Sequence, residues 1–147
     1  MDNKALHNLS FPVDAKGLVP HRPPMLLIDK VLAKDSDFAV ITAEVPSDEF
    51  FLDQNGLLPE FLIEIMAQGL AAADGIDALE ANKPKRKGFL VGVEDLYIKA
   101  KPVAGEKLRA ELKKETEFAN IVYFLCELFN NDGELLANGM LKVWLED

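Results

Sequence analysis

A chain of 147 residues with 49% hydrophobic and 28% charged residues has the balance of one globular domain and leaves little room for a second. Its net charge of −9 argues against nucleic acid or an anionic membrane as partner, because phosphates reward Lys and Arg. The lone cysteine, Cys126, excludes an intrachain disulfide framework and fits a cytoplasmic protein.

The first ten residues are polar and lack the apolar region of a signal peptide. His7, within them, is expected to carry no role. Residues 12–24 are rich in Pro and Gly, so the stretch 1–24 is expected to be irregular, with at most one short helical turn. The apolar run 25–31 reads as a strand or strand-like entry. Residues 38–45 are β-branched and apolar and end at Pro46, which predicts a second strand.

The spacing predicts one long helix over 58–81. Pro59 suits the first turn, where its missing N–H costs nothing. Glu60 places negative charge at the positive end of the dipole, and Lys83 and Pro84 close the far end. Phe61, Leu62, Ile63, Ile65, Met66 and Leu70 put apolar surface on nearly every face, so this half of the helix is expected to be enclosed by protein. The mostly apolar stretch 61–73 is too short, and too interrupted by Glu64 and Gln68, to span a bilayer.

After Lys87 everything reads as strand: 88–103, then Lys107 to Lys113 with alternating polar and apolar residues, then 121–129 and 134–145. Asn131-Asp132-Gly133 supplies the residues that tolerate positive φ in a tight hairpin. One helix enclosed by antiparallel strands is an α+β pattern, most simply a curved sheet wrapped around the helix. Such a sheet has an edge to protect, and a dimer that continues it is a common answer.

Three features could carry chemistry. Glu64 stands between Ile63 and Ile65, where burial disfavours an ionised carboxyl and suits it to acid or base work near neutral pH. Its alternative is a carboxylate satisfied by a backbone group or a salt bridge. Gln68, four residues on, shares the face of Glu64 and could orient it or hold a substrate carbonyl. His21, in the stiff Val19-Pro20-His21-Arg22-Pro23-Pro24 segment, can exchange a proton near neutral pH; its alternative is a loop histidine that caps a backbone group. The run Lys83 to Lys87 could meet an acidic carrier protein or a nucleotide phosphate, or be a solvated loop favoured by the helix dipole. Cys126, in an apolar strand, is expected to be inert packing. There is no Gly-rich phosphate loop, metal-ligand spacing or Ser-His-Asp signature, so neither a metal nor another cofactor is expected.

Three segments in order resemble the 3-hydroxyacyl-ACP dehydratase family of hotdog proteins. They are Val19-Pro20-His21-Arg22-Pro23-Pro24-Met25-Leu26-Leu27-Ile28-Asp29-Lys30-Val31, Leu58-Pro59 through Leu62-Ile63-Glu64-Ile65-Met66-Ala67-Gln68, and residues 88–103 with Val91-Gly92-Val93 ahead of Lys101-Pro102-Val103. The resemblance covers most of the chain. It implies a hotdog fold, an acyl-carrier-protein or CoA thioester as substrate, and a homodimer or a heterodimer with another hotdog protein. It implies Glu64 as the catalytic carboxylate, with Gln68 after it. The backbone N–H of Gly92, or a group at the helix start beside Pro59, would contact the thioester oxygen.

The family pairs that carboxylate with a histidine from a Gly-His-Phe-Pro segment before the helix. Here the stretch Phe51-Leu52-Asp53-Gln54-Asn55-Gly56-Leu57-Leu58-Pro59 is shorter and has no His. Gln54 and Asn55 stand nearest, and an amide is no practical base. Dehydration needs one group to take the C2 proton and another to help expel the C3 hydroxyl. His21 is the candidate for the vacant role, provided that its segment folds over the helix start. The alternatives are thioester hydrolysis with Glu64 as base, and a non-catalytic subunit paired with an active homologue.

Overall fold

The computed structural model describes residues 9–146; His7 lies outside them. The helix α1 (Pro59–Ala81) begins one residue later than the spacing predicts, with Leu58 extended at its N-cap and Pro59 and Glu60 in its first turn. It ends on Asn82, which takes a left-handed conformation (φ 54°) and donates its N–H to the Ala78 and Leu79 carbonyls. Asparagine is a regular occupant of that position, so the helix stops before Lys83 and Pro84.

Seven strands form one sheet: β1 (Val13–Asp14), β2 (Ile28–Lys34), β3 (Phe38–Glu44), β6 (Gly88–Ile98), β7 (Lys107–Phe118), β8 (Ile121–Asn130) and β9 (Leu135–Leu145). Their spatial order is β1-β2-β3-β7-β8-β9-β6, and every neighbouring pair is antiparallel. A separate hairpin of β4 (Leu52–Asp53) and β5 (Gly56–Leu57) precedes the helix. A sheet of this order packed on one long helix is the hotdog fold.

Alternation makes the sheet two-faced. Ala39, Ile41 and Ala43 on β3 and Leu108, Ala110 and Leu112 on β7 are buried, in one core with Leu62, Ile65, Met66, Leu70 and Ile76 of α1. The helix sits so close to the sheet at Gly69 that a Cβ there would lie 2.9 Å from Leu112 Cδ1 and 3.3 Å from Ile41 Cγ1. Burying these side chains is the main stabilising term.

Three expectations shift in detail. The strand expected over 25–31 begins only at Ile28, because Met25 and Leu26 both donate their N–H to the Arg22 carbonyl in a turn. The strand expected over 88–103 ends at Ile98, and its register against β9 breaks between Glu94 and Tyr97, where Asp95 has φ 53°. In the Asn131-Asp132-Gly133 turn only Gly133 has positive φ (82°). Asn130 organises the rest, its Oδ1 accepting from the N–H groups of Asp132 and Glu134 at 2.9 Å each.

β6 is eleven residues long and, among the described residues, pairs only with β9 and forms an edge of the sheet. It exposes Phe89, Leu90, Val91 and Tyr97.

Candidate active site

The segment before β2 lies along α1 and brings His21 to the helix. Leu18 and Val19 are buried. The Leu18 carbonyl accepts from Lys85 Nζ at 2.7 Å, and a Cβ on Gly75 would lie 2.9 Å from that same oxygen. Arg22 Nη1 donates to the Val19 and His21 carbonyls at 2.9 and 2.7 Å. The segment therefore runs from the middle of the helix back toward its start, held by an arginine clamp, a lysine and a glycine-sized gap.

At the end of that run His21 Nε2 stands 3.7 Å from Glu64 Oε2. This is too long for a direct hydrogen bond, yet both groups are within reach of one small substrate group placed between them. Each side chain is about one-third exposed, 33% for His21 and 36% for Glu64. Glu64 is thus less enclosed than the apolar sequence around it predicts, because it opens toward the gap that His21 lines. His21 Nδ1 is buried and has no hydrogen-bond partner among the described residues.

Gln68 is the buried polar residue of the site, 1% exposed. Its Oε1 accepts from the Leu27 N–H at 2.9 Å, and its Nε2 donates to the Met25 carbonyl at 2.7 Å and to Glu64 Oε2 at 2.8 Å. Both amide protons are committed, so no donor is left for a substrate carbonyl. Of the two roles open in the sequence, the geometry favours orientation of Glu64.

A cavity of about 790 Å³ runs from His21 and Ala67 along the helix, between α1 and the inner face of the sheet. Leu70, Ala71, Phe124 and Val143 make its apolar floor. Of the site residues expected from the sequence only His21 lines it; Glu64, Gln68, Gly92 and Pro59 do not, whereas Gly88, Phe89 and Leu90 do. Within this chain the two proposed thioester contacts are therefore not brought to the cavity. Gln54 and Asn55 are exposed in the tight turn between β4 and β5 and also lie outside its lining.

The basic run is mostly committed to the protein itself. Arg86 Nη2 and Nε reach Asp74 Oδ1 at 2.7 and 3.2 Å, while Lys85 Nζ donates to the Leu18 carbonyl, and desolvation there lowers its pKa. These residues line the cavity beyond the middle of the helix, away from Glu64. Cys126 is fully buried. No cluster of metal-ligating residues occurs among the described residues.

Comparison with known proteins gives this geometry its context. The ApeP-like family, described as ApeP dehydratase, matches residues 13–147. The chain belongs to the ApeP-like dehydratase family. It is also 33% identical over 136 residues to the 3-hydroxyacyl-[acyl-carrier-protein] dehydratase FabZ of Streptococcus pneumoniae strain CGSP14, covering 87% of this chain and 92% of the relative. Among solved structures, a chain of the dehydratase heterocomplex ApeI:P from Xenorhabdus doucetiae superposes with a TM-score of 0.80 at 22% identity, over 92% of each chain. The E. coli PaaI protein of the phenylacetic acid degradation operon superposes with a TM-score of 0.65 at 18% identity, over 97% of this chain and 88% of that one. At these identities the structural likenesses establish the fold. Membership of the ApeP-like family rests on the sequence match.

What the sequence could not reveal is how the ApeP-like chain holds Glu64 in place. The partners of Gln68 are backbone groups 41 and 43 residues away, with no local signature. The glycine at position 75 was a usable signal, since an interior helix glycine costs stability unless close packing requires it.

Proposed function

We propose that this chain dehydrates 3-hydroxyacyl thioesters, carried on acyl carrier protein in preference to CoA, in fatty-acid or polyketide-type metabolism. The observation that carries this reading is the approach of His21 Nε2 to Glu64 Oε2, 3.7 Å, with His21 also lining the cavity whose floor is apolar. One of the two groups takes the C2 proton. The other delivers a proton to the C3 hydroxyl, which leaves as water while the C–H electron pair becomes the C2–C3 double bond. Gln68 holds the carboxyl of Glu64 toward the histidine. In this arrangement His21 fills the role left vacant by the histidine-free stretch before the helix.

The exposed β6 edge supports a second element of the reading, pairing with another hotdog chain to continue the sheet. The nearness in shape to a chain of the ApeI:P heterocomplex favours a homologous partner as well as a second copy. Such a partner is also the route by which a thioester-oxygen contact near Gly92 would be supplied.

The test is incubation of the purified chain, alone and with a co-expressed hotdog partner, with a panel of 3-hydroxyacyl carrier proteins, followed by mass analysis. Loss of one water is expected, falling by about 10²–10⁴ in Glu64→Gln and in His21→Gln. Release of free carrier thiol without dehydration would instead favour thioester hydrolysis. Absence of both reactions in every combination would leave only a non-catalytic role.

A further inference from the structure

The cavity beside α1 reverses the sign of the chain. Seven Lys or Arg residues line it against four Asp or Glu, in a protein of net charge −9. Toward the C-terminal end of the helix these charges satisfy one another: Arg86 pairs with Asp74, Lys34 with Asp77 and Lys114 with Glu117. Asp37 belongs to that end too, since its carbonyl accepts the Lys114 N–H. Two of the remaining cations meet around Leu18. Lys85 Nζ donates to the Leu18 carbonyl at 2.7 Å, and Lys16 stands two residues before Leu18, in the 3-10 turn Ala15–Gly17. Neither lysine has an ion-pair partner among the described residues. Beside them Gly17 is exposed and lines the cavity, and a Cβ there would meet nothing within 4 Å. The cavity thus opens to solvent at Gly17, flanked by two lysines. Lys85 is partly desolvated there with only a neutral carbonyl as partner, and a cation so placed gains from a nearby anion.

We infer that this cavity is a binding site for a free alkyl carboxylate, its head between Lys16 and Lys85 at the Gly17 opening and its tail on the apolar floor. The inference goes beyond the dehydratase reading: it needs no thioester and no contact with Glu64, which does not line the cavity. Charge and surface together select the occupant. A neutral hydrocarbon would cover Leu70, Ala71, Phe124 and Val143 but leave the two lysines without an anion. A small hydrophilic anion would reach the lysines and leave the floor wet. An anionic head on an alkyl tail satisfies both, and a volume of about 790 Å³ is that of a small-molecule site. The head has one favourable end, because the charges beside Asp74 and Asp77 are already paired.

The test measures binding by calorimetry, which needs no turnover. Octanoate, decanoate and dodecanoate, each with the primary alcohol of equal length, are titrated into the full chain below the micelle threshold. Affinity is expected to rise about fourfold per added methylene while the floor is being covered. Each acid should bind about tenfold more tightly than its alcohol. Lys85→Met and Lys16→Met, which keep apolar stems, should each weaken the acid and spare the alcohol. Glu64→Gln should leave both affinities within about twofold, being screened from the head. No binding at any length, equal affinities of acid and alcohol, a preference unchanged in both lysine variants, or one lost in Glu64→Gln would each overturn the inference. Lys16 is exposed, so its variant and the parent comparison decide if Lys85→Met does not fold. No probe carries a thioester, so failure here leaves the dehydratase reading standing, and a chain that binds the acids without dehydrating refutes that reading alone.

Discussion

Gln68 donates to Glu64 Oε2 at 2.8 Å from one helical turn away. The same amide binds the Met25 carbonyl and the Leu27 N–H. The proposed reactive carboxyl is thereby tied to the backbone that follows His21, so that helix and segment are positioned together. Gln68→Leu removes all three bonds and strands two backbone groups in a largely buried setting. Each orphaned group costs about 1–3 kcal/mol, so a stability loss of ~2–6 kcal/mol is expected, seen as a lower urea midpoint with an unchanged slope. Glu64→Gln keeps a group of the same shape at a position one-third exposed and should move the midpoint by less than about 1 kcal/mol.

Gly75 faces the backbone of Leu18 across a gap with no room for a methyl group. On propensity alone, Gly75→Ala would stabilise an exposed helix by about 1 kcal/mol. Here the added carbon meets a carbonyl oxygen that Lys85 already binds, and a backbone cannot turn aside as a side chain can. The variant is expected to lose stability and to push the segment carrying His21 off the helix. A drop in melting temperature together with a loss of dehydratase activity checks this. Gly17→Ala, which would meet nothing within 4 Å, is the control expected to change neither.

The parts of the fold that follow from local pattern were legible. Pro59, Glu60 and the all-round apolar surface mark the helix, and the alternation from Lys107 to Lys113 marks β7, whose buried partners are Leu108, Ala110 and Leu112. The hairpin of β4 and β5 was not, because two-residue strands have no period to detect. Its Gly56, at φ 127°, is dictated by the approach of Pro102 from far along the chain. The site divides in the same way. Glu64 and Gln68 could be paired from their spacing of four, and His21 could be nominated from its chemistry. The Arg22 clamp and the two backbone partners of Gln68 arise only when distant segments meet.

The β6 edge gives a prediction about assembly. Val91 is 53% exposed on a strand that, among the described residues, pairs on one side only. A lysine there adds charge that edge-to-edge pairing would have to desolvate, the device by which natural sheets keep edges apart. Val91→Lys is therefore expected to shift the chain, or its complex with a hotdog partner, toward separated protomers in sedimentation velocity. As a surface change it should alter the stability of the isolated protomer by no more than about 0.5 kcal/mol. An unchanged sedimentation profile in a chain that does associate would place the interface elsewhere.

Cys126 supplies a built-in reporter of opening. Its side chain is sealed between neighbouring strands, and burial pushes the thiol from its ordinary 9.0 up to about 12. The thiolate is the reactive form, so the folded chain should resist alkylation at mildly alkaline pH and react only through openings that expose β8. Its labelling rate under those conditions follows the population of the open state when closing is fast. The same shift has a consequence for stability. Below pH 9 the thiol is protonated in both states and contributes no pH dependence. Between 9 and about 12 the unfolded chain loses the proton that the folded chain retains, so stability falls as pH rises through that window. Cys126→Ala removes this term, and its denaturation midpoint should decline less steeply above pH 9 than that of the parent chain. Equal slopes for the two proteins would mean that the thiol is not held in a dry core.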